Sequence, residues 1–99
     1  MSKIKFEINY NVYPEKRDDY LESIEELKSL IKENTSSDYL VLENRKISNN
    51  FSELYIFDSE EDFDNMEDNQ DERTNELIEK IFNLFVVNQK LNYSTKDEI

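Results

Sequence analysis

Glu53, Tyr55 and Phe57 stand at alternate positions of one segment, and Asn9 and Asn11 at alternate positions of another. Residues two apart on a strand share a face, so this spacing can bring amides, a carboxylate and aromatic rings to one cavity. There Asn9 and Asn11 would orient a phenol, Glu53 would accept its proton, and Tyr55 and Phe57 would stack on its ring, with Glu7 nearby. Asn9 and Glu53 are the candidate catalytic residues; Asn11, Tyr55 and Phe57 are candidate substrate contacts. The same types also suit a plainer role, with the asparagines facing solvent or an interface and the aromatics packing on a partner subunit. Glu53 serves as a base only where burial raises its pKa. Tyr10, Tyr13, Tyr20 and Phe63 fit pocket walls or core equally well by type, and their strand and helix spacing favours core.

Composition removes most other chemistry. The 99 residues contain no cysteine and no histidine, which excludes disulfides, thiolate metal sites and the commonest metal ligand and general base. No metal and no cofactor is expected. Between Asp58 and Glu72 the chain carries acids and no basic residue, but Asp62-x-Asp64-x-Met66 lacks the glycine and the bidentate glutamate of a calcium loop. That run reads as a solvated helix face, or as a dock for a basic protein. A net charge of −12 repels polyphosphate and anionic lipid, so nucleic-acid and membrane binding are disfavoured. Met1 to Lys5 leads straight into a strand pattern without an apolar signal core, which makes the cytoplasm the expected location.

The elements that must position these residues follow from periodicity. Ile4, Phe6, Ile8, Tyr10 and Val12 alternate with polar residues and predict a strand. Pro14 opens a helix to about Glu33, in which Tyr20, Ile24, Leu27 and Ile31 recur at helical spacing, with Leu21 and Leu30 widening the stripe. After a break over Asn34–Asp38, a second strand runs from Tyr39 to about Ile47. Ser48-Asn49-Asn50 turns it into a third strand, Phe51 to Phe57, the asparagines replacing the glycine this chain lacks. Ser59 caps a short helix carrying Phe63 and Met66 inward. After Asn69-Gln70, a helix from Asp71 to Leu84 presents Leu77, Ile78, Ile81, Phe82 and Phe85. Val86 to Tyr93 reads as a final strand. The length suits a single domain over residues 1–94, with 95–99 as a loose tail.

This order is that of an α+β protein with the ferredoxin-like split β-α-β arrangement, a four-stranded antiparallel sheet with helices on one face. The second and third strands are apolar on both sides, so large side chains must lie on the helix-free face. Tyr55 and Phe57 are expected there, meeting the sheet of a second copy in a two-fold homodimer.

The segment Tyr55-Ile56-Phe57-Asp58-Ser59-Glu60-Glu61-Asp62-Phe63 resembles the strand-to-helix signature of the antibiotic biosynthesis monooxygenase domain family, the dimeric α+β barrels. The order of elements over residues 3–93 is similar as well. The resemblance implies a homodimer with a pocket between sheet and helices in each subunit. Some members oxidise phenolic or quinol substrates with oxygen and neither metal nor flavin. In those an aromatic, usually tryptophan, ends the third strand, an asparagine precedes it by four positions, and a histidine often lies in the next helix. Phe57, Glu53 and Met66 stand at those places here, which with Phe63 adds Met66 to the substrate-binding candidates. The implied function is cofactor-independent oxidation or binding of a small aromatic or quinone-like compound; the alternative is a non-catalytic dimeric ligand-binding or interaction domain.

Overall fold

Burial along the first strand follows the alternating sequence at its ends: β1 spans Ile4–Asn11, with Ile4, Tyr10 and the adjoining Val12 buried and Phe6 to Asn9 partly covered. The computed structural model describes residues 3–34, 38–66 and 71–99. Pro14 starts a single 3-10 turn that feeds α1, Arg17–Asn34. Its fixed φ and missing N–H suit a first helical turn. The α1 stripe is buried as its spacing predicts, with Tyr20, Ile24, Leu27, Leu30 and Ile31 inside, while Leu21 stays exposed.

Strand β2 covers Asp38–Glu43 and β3 covers Asn50–Phe57. The predicted second strand is therefore too long, since residues beyond Glu43 form the connection. That connection is braced by Arg17, whose guanidinium donates to both carboxylate oxygens of Glu43 at 2.6 and 2.8 Å and to Asn49 Oδ1 at 2.9 Å. Glu43 also accepts the Asn49 backbone N–H at 2.9 Å. Asn49 sits at φ 64°, the left-handed conformation expected of the asparagine turn.

Ser59 caps α2, Glu60–Asp64, by accepting the Asp62 N–H, and Asp71 caps α3, Glu72–Phe85, by accepting the Thr74 N–H. The breaks predicted at Asn34–Asp38 and Asn69–Gln70 fall partly or wholly on residues 35–37 and 67–70, outside the described residues. Strand β4 is Asn92–Asp97. This corrects the predicted Val86–Tyr93 strand and the loose tail expected over 95–99, since Thr95, Lys96 and Asp97 pair with β1 and complete the sheet edge. Val86 instead makes one bridge to Val12, and a turn over Val87–Gln89 carries Asn88 and Gln89 at φ 54° and 55°.

The sheet is antiparallel throughout, in the order β2-β3-β1-β4. Phe51, Glu53, Tyr55 and Phe57 of β3 are buried, while Ser52, Leu54 and Ile56 of the opposite phase are only partly covered. Tyr55 and Phe57 therefore belong to the core beneath the helices, against the expectation that they face a second subunit. The physical reason is volume. Each large side chain gains about 1.5–3 kcal/mol on full burial, and the bulkier phase of β3 fills the space under α1 and α3. The helix-free face holds Leu40, Leu42, Leu54 and Ile56 instead, with Leu40 and Leu42 at 46% and 51% exposure.

Candidate functional site

Glu53 is the one charged residue on the buried phase of β3, and it is 7% exposed. A carboxylate in such a place must be hydrogen-bonded or neutralised. The neighbouring strands supply the partners. Tyr39 of β2 lies opposite Tyr55, and its hydroxyl reaches across to donate to Glu53 Oε1 at 2.5 Å. From β1, the Tyr10 side chain approaches Glu53 closely enough to influence its carboxyl, and its hydroxyl lies 2.7 Å from the hydroxyl of Tyr20 on α1. A phenol has one proton to give. In the Tyr10–Tyr20 bond either hydroxyl can supply that proton.

Burial pushes the Glu53 carboxyl up from its ordinary range, and the hydrogen bond from Tyr39 and the approach of Tyr10 oppose the shift without cancelling it. Burial first, and then the charge of Glu53, pushes the hydroxyls of Tyr10, Tyr39 and Tyr55 upward, so all three remain proton donors.

A cavity of about 290 Å³ opens between this part of the sheet and α3. Ile8, Tyr10, Glu53 and Tyr55 form its sheet wall, and Ile78 and Phe82 face them from the helix. Tyr93 of the edge strand β4 stands at the mouth, 62% exposed and stacked on Phe6 at 5.8 Å with 16° between the rings. A larger cleft of about 380 Å³ between α1 and α3 is lined mainly by exposed charged residues such as Glu22, Glu26 and Lys80. Only the smaller cavity pairs aromatic walls with a buried ionisable group, which is the make-up of a small-molecule site.

Of the predicted site residues, the structure brings Glu53 and Tyr55 together in this cavity. Asn9 and Asn11 lie on the other face of the sheet. There Asn9 Nδ2 donates to Asn50 Oδ1, the Phe51 carbonyl and Ser52 Oγ, and Asn50 Nδ2 donates to Asn11 Oδ1. These amides tie β1 to β3. Ser52 Oγ donates in turn to Glu7, extending the same polar strip. Phe57, Phe63 and Met66 do not line the cavity, although Phe57 stacks on Tyr55 at its wall. Phe57 packs edge-on against Phe63 at 5.5 Å, and Met66 covers the core beside them.

Tyr39 and Tyr93 are site residues that sequence reasoning missed, and Tyr10 was assigned to the core. The usable signal was Glu53 itself, a charge standing in the aromatic phase of a strand. Among the described residues no group of histidine, cysteine, aspartate and glutamate could hold a metal ion, and no helix is long and apolar enough to cross a membrane.

No family model matches the chain, and no curated protein does. Solved structures do. A conserved protein from Methanosarcina mazei superposes with a TM-score of 0.83 at 14% identity, over 100% of this chain and 95% of that one. An antibiotic biosynthesis monooxygenase superposes at 0.78 and 16% identity, over 97% and 98%. A cofactor-independent oxygenase from Streptomyces nogalater, in a variant form, superposes at 0.74 and 7% identity, over 95% and 90%. The chain thus has the ferredoxin-like fold of the antibiotic biosynthesis monooxygenases.

Proposed function

We propose that this protein binds a small phenolic or quinone-like aromatic compound in the cavity over Glu53 and oxidises it with dioxygen, without metal or flavin. The observation that carries this reading is the carboxyl of Glu53, buried with the Tyr39 hydroxyl donating to it at the wall of an aromatic cavity. An elevated carboxyl pKa makes its ionised form a stronger base toward a phenol. Removing the phenolic proton leaves an electron-rich phenolate, the form that gives electrons to oxygen. Tyr39 holds Glu53 in place while the proton moves, and the apolar walls exclude water. The shared fold with a cofactor-independent oxygenase supports the same reading. Homodimerisation through the helix-free face belongs to it, since Leu40, Leu42, Leu54 and Ile56 form an apolar strip there.

The test is oxygen uptake by the purified protein with a panel of dihydroxynaphthalenes, corrected for spontaneous oxidation. Acceleration is expected, together with a loss of about 10²–10⁴-fold in Glu53→Gln, the usual weight of a general base. A panel that shows no acceleration, or a Glu53→Gln variant at full rate, defeats the catalytic reading.

One arrangement favours a second reading, ligand binding without turnover. The positions matched to the family's tryptophan and histidine, Phe57 and Met66, pack into the core without lining the cavity. In that case the cavity binds the aromatic compound and returns it unchanged, and product analysis separates the two.

A further inference from the structure

Val41, Glu53, Ile8 and Tyr93 form one row across the inner face of the sheet, paired in register from β2 through β3 and β1 to β4. Strands lie about 4.8 Å apart, so the Cα atoms of Glu53 and Tyr93 are about 10 Å apart with Ile8 between them. Their side chains stand at the two ends of the same cavity, and its volume of about 290 Å³ lies at the small end for a ligand site. The space over Ile8 suits one ring or two fused rings. A planar molecule there has Ile8 beneath it, Ile78 and Phe82 above it, and a single strongly polar end at Glu53.

The charges of the lining point one way. Glu53 lies within, Glu79 is exposed at the rim, and no lysine or arginine lines the cavity among the described residues. The whole chain carries −12. A carboxylate or phosphate on the ligand would meet Glu53 at short range in a poorly solvated space, without a cation to pair with. Like charges in that setting either force one group to take up a proton or prevent binding.

We infer that the cavity selects one- or two-ring aromatic ligands that carry no anionic group, seated over Ile8 between Glu53 and the ring of Tyr93. This rests on the reading that the cavity binds an aromatic compound, and it adds the charge class and size of that compound. Tyr93 is a specificity residue in this scheme. Its ring, set by stacking on Phe6, closes the solvent end of the row, and a ring without the hydroxyl serves equally well.

Calorimetric titration of the full chain at pH 7 with 1-naphthol and with 1-naphthoate decides the matter. Expected are binding of 1-naphthol and at least roughly tenfold weaker binding of 1-naphthoate, with the gap shrinking in Glu53→Gln. Tyr93→Ala should weaken 1-naphthol binding by a few-fold or more, and Tyr93→Phe should keep it. Equal affinity for the two probes, or a gap unchanged in Glu53→Gln, overturns the charge selection and leaves aromatic binding standing. Failure of both probes to bind overturns the inference and the reading beneath it together. Oxygen consumption plays no part in the measurement, so a protein that binds without turnover is still tested.

Discussion

The Tyr39 hydroxyl donates to Glu53 Oε1 at 2.5 Å across the β2–β3 pair, joining a partly exposed strand residue to a carboxylate buried in the core. The contact is diagonal, since Tyr39 stands opposite Tyr55 and Glu53 stands opposite Val41. A tyrosine is long enough to reach a diagonal neighbour on the same face, where a shorter residue is not. The bond therefore couples the register of an outer strand to the state of the candidate site.

Tyr39→Phe removes this donor and leaves the ring. A buried acceptor that loses a partner costs about 1–3 kcal/mol, and a charged acceptor lies at the upper end. Urea unfolding at pH 7 should show the midpoint falling by that free energy divided by the slope, with the slope itself unchanged. An unaltered midpoint would mean that water or Tyr10 alone satisfies the carboxyl.

The pH dependence of stability should carry the signature of Glu53. Its folded-state pKa lies above the ordinary 4.5, so the folded chain holds this proton more tightly than the unfolded chain. The contribution to stability is present in full below about 4.5 and is lost as pH rises through the folded value. Glu53→Gln cannot titrate. Unfolding free energies of the two proteins, measured from pH 4.5 to 8, should diverge with the wild type declining relative to the variant. Parallel curves would show that the carboxyl is not perturbed in the folded state.

Glu43 should give the opposite sign. Hydrogen bonds from Arg17 and the Asn49 backbone hold its carboxyl down to about 2. Its contribution is present above the ordinary value of 4.5 and is lost as pH falls from there toward 2. Arg17→Ala removes the bidentate partner, so the variant should lose less stability over that acid window than the wild type does. Acid titrations followed by circular dichroism would show it, and the idea fails where both proteins lose the same amount.

The sequence made β1, α1 and the Ser59 cap legible because each rests on local chemistry, either periodic burial or a side chain reaching its own backbone. β4 was missed because it is an edge strand of almost wholly exposed polar residues, so it lacks the alternation that marks a half-buried strand. The apolar Val86 and Val87 before it drew the strand assignment six residues too early. Both phases of β3 are apolar, so alternation located the strand without choosing its inner face; Tyr55 and Phe57 went to the wrong one. Glu53 was readable as the odd charge in an aromatic row. Its partners were not, since Tyr39 and Tyr10 reach it only through the register of three strands. Asn9 and Asn11 were misjudged for the same reason, as an amide's type does not reveal which face it shares.

The helix-free face predicts association. Leu40 pairs with Leu54 and Leu42 with Ser52 on that side, next to the polar strip of Asn9, Asn11 and Asn50. Leu40 and Leu42 are about half exposed, and burying the remaining half of each against a second sheet gains about 0.7–1.5 kcal/mol apiece. A two-fold arrangement presents every leucine twice, so one favourable contact is counted on both subunits. Sedimentation velocity at micromolar concentration should therefore show a dimer. Leu42→Asp sets a charge within the apolar strip of both copies, and should weaken the dimer by at least roughly 100-fold. The substitution lies on the solvent side of β2, so the monomer should keep its fold by circular dichroism. A wild-type chain that stays monomeric, or a dimer indifferent to Leu42→Asp, would place the subunit contact elsewhere or remove it.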